Sequence, residues 1–129
     1  RALGSSIPVK GICVRRTKNL QHQRIINHCQ AIADLLQMDN PVSDDDVEAS
    51  DAQLAPGYGQ LNDSVFEAMQ LSAHHEGLIL DPVYTGRSMA GFIQRAREAN
   101  QQKTLLFIHT GGQQAIFAYE ADLGPLLDS

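Results

Sequence analysis

The stretch LLFIHTGG, at residues 105–112, decides the fold class. Its near-continuous apolar run is typical of a buried parallel strand, and its two glycines allow a tight turn and a close approach to a ligand. A second stretch, LILDPVYTG at residues 78–86, also runs from apolar residues into polar residues and glycine. Because ligands of open α/β sheets bind beyond the carboxyl ends of the strands, the two stretches together predict a pocket at one sheet edge.

The rest of the chain alternates strand-like and helix-like segments around these two stretches. We expect strands at 7–14, 46–50, 78–80 and 104–109, and helices at 19–38, 63–75, 87–100 and 113–119. This order implies parallel strands joined by helical crossovers. The sequence therefore predicts a single α/β segment over residues 1–129. Its parallel sheet has about four strands and helices on both faces, with residues 105–109 as a central strand.

Composition excludes several classes of protein. The net charge of −5 argues against a nucleic-acid partner. No apolar run approaches the roughly 20 residues needed to span a bilayer, and residues 1–6 lack the apolar stretch of a signal peptide. Cys13 and Cys29 are interpreted as buried thiols of a reducing compartment, so we expect a cytoplasmic protein with no membrane partner. The histidines and cysteines show no zinc spacing, and no metal site is predicted.

Two tyrosines and one threonine are the candidates for chemistry. Tyr84 lies in the loop after a short predicted strand, where its hydroxyl can orient a substrate or move a proton. Tyr58 stands between two glycines, and Thr110 precedes Gly111-Gly112 at a strand-to-helix turn. Simpler interpretations stay open: either tyrosine can be a packing residue, and the glycine turn can be an ordinary connection.

Several short motifs, taken together and in order, resemble one enzyme family. They are APGYG at 55–59 with Asn62-Asp63, EG at 76–77, LDPVYTG at 80–86, SMAG at 88–91, LFIHTGG at 106–112 and FAY at 117–119. The chain resembles the C-terminal portion of the D-cysteine desulfhydrase and 1-aminocyclopropane-1-carboxylate deaminase family. Members are pyridoxal-phosphate-dependent enzymes with the tryptophan-synthase-β-like fold. The resemblance therefore implies part of a three-layer domain.

The resemblance also implies roles for individual residues. Tyr84 would be a catalytic tyrosine near the reacting carbon of the substrate, and Tyr58 would contact the substrate from the opposite loop. Thr85 favours the desulfhydrase branch, because the deaminases carry a glutamate there. Arg87 replaces a lysine that is usual in the family, a change that keeps the charge. The residues that the resemblance assigns to the cofactor are Thr85, Thr110, Gly111 and Gly112.

Length separates this chain from the family it resembles. The resemblance covers only the last third or so of a family member, so we expect the C-terminal part of a larger enzyme. The chain has three lysines, Lys10, Lys18 and Lys103. None matches the lysine that carries the pyridoxal phosphate, so that catalytic lysine is expected outside this chain.

The favoured function is a lyase that converts D-cysteine to pyruvate, sulfide and ammonia, with a small D-amino acid as substrate and a homodimer as the full-length state. This segment alone is expected to be inactive. The alternatives are the deaminase activity and a non-catalytic α/β ligand-binding module.

Overall fold

A computed structural model describes residues 1–99 and 103–127 of the chain. Two 3-10 helices, at Asp44–Asp46 and Gln113–Tyr119, accompany the regular elements. In chain order these are β1 (Lys10–Ile12), α1 (Lys18–Leu35), β2 (Glu48–Ser50), α2 (Asp63–Glu76), α3 (Thr85–Glu98) and α4 (Glu120–Leu127). The strands β1 and β2 pair in parallel, with Gly11 opposite Ala49, and α1 is the crossover between them. The predicted α/β class with parallel strands and helical crossovers is confirmed.

The helix boundaries follow local signals that the sequence carries. Asn62 caps α2, since its side-chain oxygen accepts a hydrogen bond of 2.9 Å from the Val65 amide. Gly77 ends α2 with a positive φ of 65°. The predicted end of α3 at Asn100 lies outside the described residues.

The core forms where α2 packs on α3 and α3 packs on β1. Its buried residues are Val65, Ala68, Met69, Leu80, Met89, Ala90 and Leu123. Gly91 sets the distance between α3 and β1, because a Cβ at this position would lie only 2.6 Å from Cδ1 of Ile12. The absence of a side chain at Gly91 therefore allows α3 to lie directly against the first strand.

The prediction of a four-stranded sheet with residues 105–109 at its centre is wrong for the described residues. The sheet there has two strands, and neither 78–80 nor 104–109 is paired. Leu106 and Ile108 are 84% and 69% exposed, whereas Phe107 packs edge-to-face on Phe92 with ring centroids 5.7 Å apart. This alternation is typical of an extended chain that contacts the core on one side. The apolar sequence favours an extended backbone, but a strand also needs a hydrogen-bonding neighbour.

A buried arginine joins the start of α3 to the loop between β2 and α2. Arg87 is fully buried, and its guanidinium donates hydrogen bonds to the carbonyl oxygens of Gln53, Gly57 and Gln60. The bonds to Gly57 and Gln60 measure 3.2 and 2.6 Å. Arg87 therefore fixes the loop that carries Tyr58. The sequence comparison with lysine, which considered only charge, did not predict this role.

Replacing Arg87 tests this tether. We expect Arg87→Met, made in the full-length protein, to lower the free energy of unfolding by about 2–4 kcal/mol, because three carbonyls lose a charged donor. Arg87→Lys should retain only part of the stability, since an ammonium cannot match the planar fork of a guanidinium. Urea unfolding gives the free energy, and hydrogen exchange of residues 53–61 locates the effect.

The matched control is Arg24→Met, at an exposed position of α1. It should leave both the unfolding free energy and the exchange rates unchanged. Equal effects of the two substitutions would contradict a specific tether by Arg87.

Within the described part of the chain, no helix has both the length and the apolar character needed to cross a membrane.

Candidate functional site

Two tyrosines from separate loops meet at the surface of the molecule. The hydroxyl oxygens of Tyr58 and Tyr84 are 2.5 Å apart, and their rings stand edge-on with centroids separated by 6.2 Å. The two side chains are 46% and 44% exposed, so a small molecule can reach the pair at the surface of the described structure. This is an open site in which two phenol groups share a short hydrogen bond.

A buried carboxylate shapes the loop that presents Tyr84. Asp81 is fully buried, and its Oδ2 accepts hydrogen bonds from the amides of Val83 and Tyr84 at 2.9 and 2.7 Å. Its Oδ1 accepts from the amide and the hydroxyl of Thr85 at 2.8 and 2.6 Å. Four donors thus satisfy one carboxylate at the amino end of α3, where the positive end of the helix dipole also stabilises negative charge.

The glycine-rich loop lies beside the same carboxylate. Gly112 has a φ of 99°, and a Cβ built on it would lie 3.1 Å from Oδ1 of Asp81. Further along, the hydroxyl of Tyr119 donates a 2.6 Å hydrogen bond to the Gly59 carbonyl, next to Tyr58. The segment from Gly112 to Tyr119 therefore connects the loops of both tyrosines.

The predicted cofactor residues occupy different environments. Thr85 is buried, and its hydroxyl accepts a hydrogen bond from the Asp81 amide besides donating to the Asp81 carboxylate. Thr110 is exposed at the start of the glycine loop, and Gly111 has a φ of 88°. The Gly111 amide donates to Nδ1 of His109 at 3.1 Å, so this histidine supports the loop. Thr110 is thus exposed and the adjoining Gly111 and Gly112 are half-buried, whereas Thr85 is fully buried.

The electrostatics of the pair favour a neutral Tyr84. The hydrogen bond to Tyr58 raises the pKa of Tyr84, whereas the positive charge of Arg15 lowers it by a smaller amount. Burial likewise raises the pKa of Tyr119. A phenol that stays protonated at neutral pH can donate a hydrogen bond or a proton to a group bound beside it.

Sequence reasoning missed three residues that this site depends on. Arg87 is a buried residue whose partners are distant backbone carbonyls, so composition and spacing do not reveal it. Asp81 is a buried carboxylate whose partners are the amides of the next residues and the hydroxyl of Thr85. Arg15 lies after β1, with its Cζ 5.5 Å from the centroid of the Tyr58 ring. One signal for Asp81 was available, because an Asp-Pro pair ahead of a helix marks a turn in which the aspartate bonds nearby amides.

Known proteins resemble this chain in both sequence and structure. Residues 1–111 match the family described as pyridoxal-phosphate dependent enzyme. A D-cysteine desulfhydrase of Salmonella paratyphi C (strain RKS4594) is 44% identical over 111 residues, which cover 84% of this chain and 33% of that protein. The D-cysteine desulfhydrase of Salmonella typhi is 43% identical over the same length.

A crystal structure described as an ACC deaminase homologue superposes with a TM-score of 0.82 at 33% sequence identity. It covers 96% of this chain and 37% of the homologue. The chain spans about a third of the length of the curated relatives that it matches. Because the match to the family extends over most of the chain, this protein belongs to the pyridoxal-phosphate-dependent enzyme family.

Proposed function

We propose that this chain forms part of a pyridoxal-phosphate-dependent lyase that converts D-cysteine and water to pyruvate, hydrogen sulfide and ammonia. The observation that carries the proposal is the exposed hydroxyl pair of Tyr58 and Tyr84, held 2.5 Å apart beside a bare glycine loop. The relatives named D-cysteine desulfhydrase supply the substrate class. The complete enzyme is proposed to be a cytoplasmic homodimer.

The residues of this loop fit one side of a flat, polar cofactor. Gly111 and Gly112 both have positive φ values, a Cβ at Gly111 would meet no atom within 4 Å, and Thr110 adds a hydroxyl at the exposed end. A Cβ at Gly112 would press on Asp81, so this position needs glycine for contact as well as for conformation. We propose that Thr110, Gly111 and Gly112 hold the cofactor ring, and that Thr85 acts by holding Asp81.

The tyrosine pair would handle a proton at the substrate. Pyridoxal phosphate, when bound, supplies an electron sink for the α-carbon of an amino acid. A tyrosine ordinarily keeps its proton at neutral pH, and the hydrogen bond to Tyr58 raises the pKa of Tyr84 further. Its hydroxyl can therefore protonate the sulfur that leaves the β-carbon, while Tyr58 orients it.

Thr85 bears on the choice between the two branches of the family. Its hydroxyl both accepts from the Asp81 amide and donates to the Asp81 carboxylate, in a fully buried place. A glutamate with the same placement would put a second carboxylate against Asp81, and like charges in a buried site repel strongly. This packing supports the desulfhydrase activity over the deaminase activity.

The substrate assignment is tested with the complete holoenzyme. We expect sulfide and pyruvate in equal amounts from D-cysteine, and little 2-oxobutanoate from 1-aminocyclopropane-1-carboxylate. Colorimetric assays for sulfide and for 2-oxo acids measure the products. Faster release of 2-oxobutanoate would assign the chain to the deaminase branch, and no turnover of either substrate would support the ligand-binding module.

Removing the hydroxyl of Tyr84 tests its proposed role. Tyr84→Phe in the complete holoenzyme should lower kcat for sulfide release by about 10²–10⁴-fold, because one proton-transfer group is lost. The affinity for pyridoxal phosphate, followed by its visible absorbance, should stay nearly unchanged. Tyr119→Phe is the matched control, since it removes the same atom from the hydrogen bond to Gly59 and should lower kcat far less.

The pH dependence of kcat tests whether Tyr84 acts in its protonated form. If Tyr84 acts in its protonated form, activity falls as pH rises through its pKa. Tyr58→Phe removes the hydrogen bond that raises this pKa, so the alkaline limb of the kcat profile should move to lower pH. A limb that stays in place, together with an unchanged kcat in Tyr84→Phe, would contradict the proposed role of the pair.

A further inference from the structure

An arginine near the carboxyl end of the first strand lies over the ring of one tyrosine of the pair. The Cys13 amide donates a 2.8 Å hydrogen bond to the Ser50 carbonyl just beyond β1, and Arg15 follows two residues later. Its Cζ lies 5.5 Å from the centroid of the Tyr58 ring, within the range of a cation–π interaction. The guanidinium therefore contacts one member of the pair from a third segment of the chain.

The charge of Arg15 is not neutralised within the described residues. Three other arginines there make ion pairs: Arg1 with Asp46, Arg95 with Glu98 and Arg97 with Glu67. No carboxylate of the described chain lies within ion-pair distance of Arg15. The buried carboxylate of Asp81 is already enclosed by its four donors. The positive charge of Arg15 therefore lies against the Tyr58 ring without a carboxylate partner among the described residues.

We propose that Arg15 is a positioning residue for the tyrosine pair, which holds the ring of Tyr58 so that its hydroxyl meets that of Tyr84. This inference rests on the proposed function of the pair. It follows from geometry, because a guanidinium over one face of the ring restricts its rotation, and the held ring carries the hydroxyl that bonds Tyr84. The charge of the guanidinium adds to this effect, because a nearby cation favours the ionised form of a phenol.

The two neighbours of Tyr84 thus act in opposite directions. The hydrogen bond to Tyr58 raises the pKa of Tyr84, and the charge of Arg15 lowers it. A proton donor works best when its pKa is not far above the working pH. Arg15 offsets part of the increase that the close contact with Tyr58 produces, without breaking that contact.

The experiment compares Arg15→Met and Arg15→Lys in the complete holoenzyme, with Arg24→Met as an exposed control of the same chemistry. Arg15→Met should lower kcat about 3–30-fold, the range expected for loss of a cation–π contact. The alkaline limb of its pH profile should move to higher pH, because a nearby positive charge that lowers the pKa of Tyr84 is removed. Arg15→Lys should restore the position of the limb and part of kcat, and Arg24→Met should change neither.

A second comparison shows whether Arg15 acts through Tyr58. In a Tyr58→Leu background, Arg15→Met should change kcat by less than about twofold, because contacting residues are not additive. An ultraviolet titration of phenol ionisation gives a reading independent of turnover. The part of the titration that disappears in Tyr84→Phe belongs to Tyr84. Arg15→Met should raise the pH at which this part reaches its midpoint.

The outcomes separate this inference from the function on which it rests. A rise in KM with kcat and the pH limb unchanged would overturn it, and would instead make Arg15 a contact for the substrate carboxylate. The inference would also be overturned if Arg15→Met lowered kcat as much in the Tyr58→Leu background as it does with Tyr58 present. If Tyr84→Phe and Tyr58→Phe leave turnover unaffected, the proposed function fails first.

If Arg15→Met does not fold, the pH limb of Arg15→Lys decides, because a shift there despite the kept charge contradicts the charge effect.

Discussion

The buried carboxylate of Asp81 is the interaction on which the rest of the site depends. A carboxylate removed from water is stable only when several donors surround it, and here three amides and one hydroxyl do so. The carbonyl of the same residue accepts a 2.7 Å hydrogen bond from the Gly86 amide. These bonds hold the backbone from Val83 to Gly86 in the conformation that surrounds the carboxylate. That conformation directs Tyr84 outward while α3 begins beneath it.

Arg87 complements Asp81 from the other side of the same turn. Its guanidinium reaches three carbonyls of the loop before α2, and burial lowers the pKa of this residue from its usual range. The distance between Tyr58 and Tyr84 therefore depends on two buried charges that lie six residues apart in the sequence and organise different loops. Because both are bonded mainly to backbone groups, they fix loop conformation without requiring particular side chains in the partner loops.

The sequence predicts the helices and the candidate tyrosines better than it predicts the sheet. Asn62 and Gly77 mark the ends of α2 by local chemistry, and local chemistry can be recognised in a single chain. The strand at 104–109 depends on hydrogen-bonding neighbours, which no local pattern supplies. Its one-sided burial, with Phe107 inward and Leu106 outward, shows an extended chain that lacks such a neighbour within the described residues. The burial of Arg87 was not predicted for a related reason, since a charged residue in an amphipathic helix is ordinarily assigned to the exposed face.

Different residues of the site position the tyrosines and contact their exposed surface. Asp81 and Arg87 are inaccessible to water and bind backbone groups, so they determine where the two phenols lie. Arg15 is exposed and lies over a ring face, so its replacement should have little effect on the fold. A buried charge left without partners costs far more than an exposed one. Changes at Asp81 or Arg87 should therefore lower stability as well as displace the two phenols, whereas the role proposed for Arg15 predicts altered turnover at nearly unchanged stability.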